Sequence, residues 1–190
     1  LKGFLVPAAL LGGPLLLILF EKDMGTTLAV GAAGFAILYI AGTRLPYLLA
    51  TAGAGAVGFW HFVRHDPLRW KRIEIWLDIE NPAHHLDQGL QQWRALLAFG
   101  NGGLAGRGLG NGAVKHGYLP FAHTDFIFPV VGEELGLWFT LLTVLCYVVI
   151  LVFGLLIAVH ATDPFGRLIA VGSTAMLVSP AMLNIAVTTS

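Results

Sequence analysis

Five stretches of this chain, residues 3–20, 26–43, 45–60, 135–159 and 168–190, contain no Asp, Glu, Lys or Arg. A helix needs about 20 residues to cross about 30 Å of hydrocarbon, and each stretch is close to that length. One such stretch could be the buried helix of a large soluble protein. Five within 190 residues point to lipid as the main solvent. Composition agrees, with 56% hydrophobic residues, a mean hydropathy of +0.76 and 12% charged residues, where soluble domains carry about 25%. The fold class is therefore all-α: a polytopic helical membrane protein, one membrane domain over residues 1–190. Its five transmembrane helices are expected at 3–20, 26–43, 45–62, 135–159 and 166–188. Lys2 leads straight into successive spans, so the start reads as a span and not as a cleaved signal peptide. The formal net charge is zero, which leaves no basic surplus for a nucleic-acid backbone. Disorder is excluded by the hydrophobicity, and the single cysteine excludes an intrachain disulfide.

The connections set an orientation. Lys2, Arg44, Asp163 and Arg167 fall on one side, and the net negative turn Glu21-Lys22-Asp23 falls on the other. The positive-inside rule puts the first group in the cytoplasm. The long connection over residues 63–134 then lies outside, and a loop of that length inside a compact protein is usually functional.

That outer loop holds most of the polar chemistry. It contains His65, His84, His85, His116 and His123, with His61 at its entrance. It opens on a basic cluster, Arg64, Arg69, Lys71 and Arg72, interleaved with Trp70 and Trp76. The cluster fits either diphosphate or anionic headgroups, or snorkelling side chains with tryptophan anchors at an interface. Over residues 88–97, Leu90, Trp93, Leu96 and Leu97 share one helical face, and Gln88, Gln91, Gln92 and Arg94 take the others. That pattern reads as an amphipathic helix at the membrane surface. Seven glycines then crowd into residues 100–112. Their amides could cradle phosphate oxygens, or the run could be a flexible surface loop. His84 and His85 are adjacent and would point apart on a helix, so no zinc site is expected.

Asp125 stands where the chain re-enters apolar sequence. It is either a helix N-cap, with Pro129 tolerated in the first turn, or a working acid. Glu133 and Glu134 follow inside an otherwise apolar run, flanked by Gly132 and Gly136. Carboxylates at membrane depth are costly and usually face a polar cavity. The pattern suggests a short broken or re-entrant helix and three carboxylates bordering one outward-facing cavity. Such a cavity suits proton or cation binding, or acid–base chemistry on a bound substrate.

The string Leu119-Pro-Phe-Ala-His-Thr-Asp-Phe-Ile-Phe-Pro-Val-Val-Gly-Glu-Glu-Leu-Gly136 closely resembles the signature of the SEDS family, the FtsW/RodA/SpoVE proteins. The glycine segment Gly102-Gly-Leu-Ala-Gly-Arg-Gly-Leu-Gly110, the glutamines Gln88, Gln91 and Gln92, and the loop entrance from Arg72 through Trp76 to Asp78 resemble the same family. So do Glu21-Lys-Asp-Met-Gly-Thr-Thr27 and Asn184-Ile-Ala186. The variant with Lys115 ahead of Tyr118 is more similar to the FtsW branch than to the RodA branch. Two positions depart from the family pattern: Phe121 stands for a usual Glu, and Lys22 for a usual Pro.

The resemblance implies about ten helices in the family, of which the five spans here would be the fifth to ninth. It implies a peptidoglycan glycosyltransferase of the bacterial cytoplasmic membrane that polymerises lipid II on the outer face. The essential acid maps onto Asp125, as general base or as holder of a divalent cation, Mg or Mn; no organic cofactor is implied. Arg72, Arg107 and Lys115 become candidates for the diphosphate, and Gln88, Gln92 and His123 for the rest of the substrate. Glu133 and Glu134 would be structural, pairing with a cation from another helix. The implied partners are membrane lipid and a class B penicillin-binding protein. The alternatives are a lipid II flippase, an ion-coupled transporter using Asp125, Glu133 and Glu134, and a non-catalytic cell-wall scaffold.

Overall fold

The computed structural model describes residues 2–21, 23–85, 89–112 and 126–189. Among them it contains helices and no strand. The helices are α1 (Lys2–Phe20), α2 (Met24–Ile40), α3 (Leu45–Arg64), α4 (Pro67–Leu77), α5 (Leu90–Gly102), α6 (Ile127–His160) and α7 (Pro164–Thr188), with one 3-10 turn at Pro82–His84. The charge-free stretches lie in α1, α2, α3, α6 and α7. α6 and α7 are each long and apolar enough to cross a bilayer. Very little of the most apolar part of α6 is buried within the chain. Trp138, Phe153, Ile157 and Val159 are all exposed on it. A soluble core helix would hide these side chains, whereas a lipid-facing helix presents them.

The chain divides into two compact units. The first comprises residues 1–59 and 147–183. Lipid tails are as apolar as leucine, so helices in a membrane gain by close packing of small residues. α2 buries Ala29, Ala33, Gly34 and Leu38, and a Cβ on Gly34 would run into Leu11 of α1. α7 buries Val171, Thr174 and Val178, and a Cβ on Gly154 of α6 would collide with Thr174. The Thr174 hydroxyl donates to Ala170 O at 2.7 Å within its own helix, so the contact leaves no polar group stranded. Ser179 of α7 donates to Ala29 O of α2 at 3.2 Å, one of the few polar ties in this unit.

The turn between α1 and α2 is closed by a cap. Asp23 has extended backbone, and its carboxylate accepts from the Thr26 amide at 3.0 Å and the Thr26 hydroxyl at 2.5 Å. The Thr27 hydroxyl donates to Asp23 O at 2.6 Å. This gives the Asp-Met-Gly-Thr-Thr run a local physical role: Asp23 satisfies the orphan Thr26 amide, and the two threonine hydroxyls hold the cap in place.

The second unit comprises residues 60–146 and 184–190. The basic cluster expected at the loop entrance is here largely helical. α4 begins with Asp66 accepting from Leu68 N at 3.0 Å and with Pro67 in the first turn, a helix that apolar periodicity did not signal. Arg69 is 8% exposed, pairs with Asp66 at 3.2 Å and lies 3.6 Å from the Phe62 ring centre. Arg64 sits 4.6 Å from the centre of Trp70, which meets Trp60 edge-on. These two arginines are held by aromatic and acidic neighbours within the chain.

Asp23→Ala should destabilise the folded protein by about 1 kcal/mol, a fall of about 2–4 °C in Tm. Asp23→Asn should retain most of the cap at neutral pH. Hydrogen bonds from Thr26 hold the Asp23 carboxyl below its ordinary value of 3.8. Its contribution is therefore complete above that pH and is lost as pH falls through the lower folded value. Thermal unfolding of the two variants between pH 2 and pH 7 measures both effects, which solvent exposure keeps small.

Candidate functional site

α5 and the start of α6 are packed through small residues. α5 buries Ala95, Ala98 and Gly102, spaced three and four residues apart on one face. Phe126 and Val130 pack against Ala95 and Ala98, and Phe128 meets Phe99 edge-on with ring centres 5.4 Å apart. A Cβ on Gly102 or Gly132 would collide with the facing element. The face packed on α6 is thus the small-residue side, not the Leu-Trp side that the sequence assigns to the membrane surface. Leu90, Trp93 and Leu96 are only partly buried and Leu97 is exposed. The small side is buried because it lets two helix backbones approach.

α6 is not one helix. Gly136 has φ 78° and ψ −175°, so the chain breaks there between a short upper helix and a long lower one. A broken helix at this place is what the carboxylates and flanking glycines suggested. The break interrupts the i to i−4 ladder and orphans carbonyls before it and amides after it. The glycine-rich segment satisfies them. Arg107 N donates to Glu133 O at 2.9 Å, Gly108 N to Glu134 O at 3.0 Å, and Leu137 N to Gly103 O at 2.9 Å. Gly110 N donates to Glu134 Oε2 at 3.1 Å. A Cβ on Gly106 would run into the Glu134 carbonyl, and one on Gly112 would lie 2.9 Å from the Glu134 carboxylate and 3.0 Å from that of Glu133.

The glycine segment therefore gives two amides to backbone carbonyls of α6 and one, that of Gly110, to the Glu134 carboxylate. Neither reading of the run, phosphate cradle or flexible loop, anticipated that its amides at 107, 108 and 110 would serve Glu133 and Glu134.

Glu133 is fully buried, at 0% exposure, and Arg107 is 44% exposed. Arg107 Nη1 lies 3.8 Å from Glu133 Oε1, and its Nε donates to Asn101 O at 3.3 Å. The guanidinium facing the buried acid thus comes from the glycine-rich loop. Of the residues singled out in the sequence, the structure brings Arg107, Glu133 and Glu134 together. Arg72 is exposed on α4, and Gln92 is partly buried in the first turn of α5. Asp125, Lys115, His123 and Gln88 lie outside the described residues. His85 stacks on Trp93 at 3.7 Å, and its Nε2 lies 2.9 Å from Ile79 O.

Among the described residues no three His, Cys, Asp or Glu side chains are grouped to hold a metal ion. Glu133 faces a guanidinium, an arrangement that does not suit a divalent cation. The cavity expected to be bordered by three carboxylates would include Asp125, which lies outside the described residues. An apolar cavity of about 350 Å³ lies among the described residues of this unit. It is lined by Leu96, Phe99, Phe128, Leu137, Thr140 and Leu141, together with Val144, Ile185 and Thr189. Its two threonine hydroxyls donate to Leu137 O and Ile185 O.

Gly106→Ala and Gly136→Ala should each cost about 2–3 kcal/mol, because both residues have positive φ and both face backbone that has nowhere to move. Gly100→Ala, in open helical surface, should be neutral or stabilising by about 0.5–1 kcal/mol. Unfolding midpoints of the three variants separate close approach from flexibility as the reason for these glycines.

Comparison with known proteins agrees with the motif resemblance. "Probable peptidoglycan glycosyltransferase FtsW" of Geobacter sulfurreducens is 38% identical over 188 residues, covering 98% of this chain and 50% of that protein. The Geobacter metallireducens protein of the same name is 38% identical over 188 residues, covering 98% and 49%. "Stage V sporulation protein E" of Bacillus subtilis is 35% identical over 189 residues, covering 99% and 51%. The chain spans about half the length of these curated relatives. Since the whole of it, residues 1–190, matches the family described as "Cell cycle protein", the chain belongs to the FtsW/RodA/SpoVE family of polytopic membrane proteins.

Proposed function

We propose that this protein is a peptidoglycan glycosyltransferase that polymerises lipid II. The observation that carries the reading is family membership along the entire chain, with relatives named for that activity. Asp125 supports it. It directly precedes Phe126, whose ring is buried against α5, so the acid is covalently joined to a well-anchored helix start.

Asp125 takes the proton from the 4-hydroxyl of the acceptor GlcNAc. The oxygen attacks C1 of the donor MurNAc as the bond from C1 to the diphosphate oxygen breaks, and undecaprenyl diphosphate leaves. An α-linked donor and a β-linked product require one inversion, so one base suffices and no covalent intermediate is needed. General-base assistance contributes about 10²–10⁴-fold. Arg72 and Lys115 stabilise the charge growing on the diphosphate, and Gln88, Gln92 and His123 bind the sugars. The polar segment over residues 63–134 works on the outer face of the cytoplasmic membrane, the side that the cations Lys2, Arg44 and Arg167 assign to it. A class B penicillin-binding protein would cross-link the product, and the FtsW-like motif variant favours a role in division.

In the protein at its full natural length, Asp125→Asn should abolish glycan polymer formed from labelled lipid II while leaving expression unchanged. Polymer on a gel from the unsubstituted protein sets the reading apart from a flippase. Full polymerisation by Asp125→Asn overturns the assignment of the acid.

A further inference from the structure

We propose that Arg107 is a positioning residue. It acts through the buried carboxylate of Glu133 to fix the upper helix of α6, and with it the acid at 125, rather than by touching substrate. The proposal rests on the reading of Asp125 as the reacting acid.

Residue 107 is tied to residue 133 twice. Its backbone amide donates to Glu133 O at 2.9 Å, and its guanidinium faces the Glu133 carboxylate at 3.8 Å. The same guanidinium donates through Nε to Asn101 O in the last turn of α5. One side chain thus bridges α5, the glycine segment and α6. Two of its donor nitrogens are directed at protein acceptors, whereas an arginine that grips a diphosphate offers its fork outward.

Glu133 has no solvent exposure, so it cannot meet a substrate, and a carboxylate there requires positive charge and directed hydrogen bonds. The upper helix is therefore held at both ends. Phe126 and Phe128 anchor its start on α5 through apolar contact, and Glu133 and Glu134 anchor its end through the loop. Releasing the second anchor lets the first turn shift. Displacements of about 1 Å at a reacting group cost up to about 10²-fold in rate.

The test uses the full-length protein in nanodiscs, with rates taken per folded, monodisperse protein. Arg107→Gln should lower kcat by about 10- to 100-fold, with KM for lipid II within about twofold of the unsubstituted value. Glu133→Gln, close to isosteric and at a position with no solvent exposure, should lower kcat in the same way. The double variant should be no slower than Arg107→Gln alone, because both changes remove one interaction. Arg107→Lys should restore most of the rate. Amide exchange over residues 126–135 should quicken in both single variants. A raised KM with kcat preserved, losses that multiply in the double variant, or unchanged exchange would each overturn the proposal. Asp125→Asn separates the two readings. Activity in that variant overturns the acid and with it the positioning of residue 125, whereas a normal kcat in Glu133→Gln overturns the positioning role and leaves the acid standing.

Discussion

The second unit depends on the pairing of backbone groups around Gly136. A helix broken at a positive-φ residue leaves carbonyls and amides without partners, and where water is scarce each such group is costly. The chain meets that cost by laying the segment from Gly103 to Gly110 along the break and exchanging hydrogen bonds with Glu133, Glu134 and Leu137. That arrangement explains the glycines. At 106 and 136 the residue is glycine because two backbones are in contact there and φ is positive. Flexibility is incidental. What reads in one dimension as a loose tract is in three dimensions a close contact of two backbones.

The charges follow from the same contact. A buried ion pair is weak evidence for stability, since desolvation consumes much of the attraction. It does fix register, because a buried carboxylate tolerates few alternatives. Arg107 and Glu133 are 26 positions apart in the chain, and their pairing selects one alignment of loop on helix. The three backbone bonds between loop and helix then fall into place together. The apolar faces of α5 and α6 alone would permit several such alignments, since alanine, glycine and phenylalanine contacts discriminate poorly along a helix.

The helices that cross apolar sequence were legible because lipid demands long charge-free runs, and α1, α2, α3, α6 and α7 carry them. α4 was not legible. Charged residues interrupt its apolar ones, although the Asp66-Pro67 start is a helix signal in its own right. For α5, periodicity found a helix but ranked faces by bulk, whereas the buried face is the one with alanines and glycine. Glu133 and Glu134 stood out through rarity, and the break beside them was readable from Gly132 and Gly136. The partner of Glu133 was not readable, because nothing local tells which amides and which guanidinium will meet a carboxylate more than 20 residues away. Sequence likewise shows that the cation of Arg107 is present and does not show that it lies 3.8 Å from the Glu133 carboxylate.

The break also resolves how one apolar run can both cross a membrane and carry two acids. Below Gly136 the helix over residues 137–160 is about 36 Å long, already more than the about 30 Å of hydrocarbon it must span. The upper helix, residues 127–135, is therefore not needed for crossing. A continuous helix would hold Glu133 and Glu134 in line with the membrane-spanning part and make their depth a consequence of its tilt. Turning the chain at Gly136 separates the two tasks. The lower helix answers to lipid, and the upper one answers to α5 and the glycine segment. Buried charge becomes tolerable in the upper helix because its neighbours there are amides and a guanidinium instead of acyl chains. The residue that carries the chemistry in our reading, Asp125, directly precedes this upper helix in sequence, and the start of the helix is packed on α5.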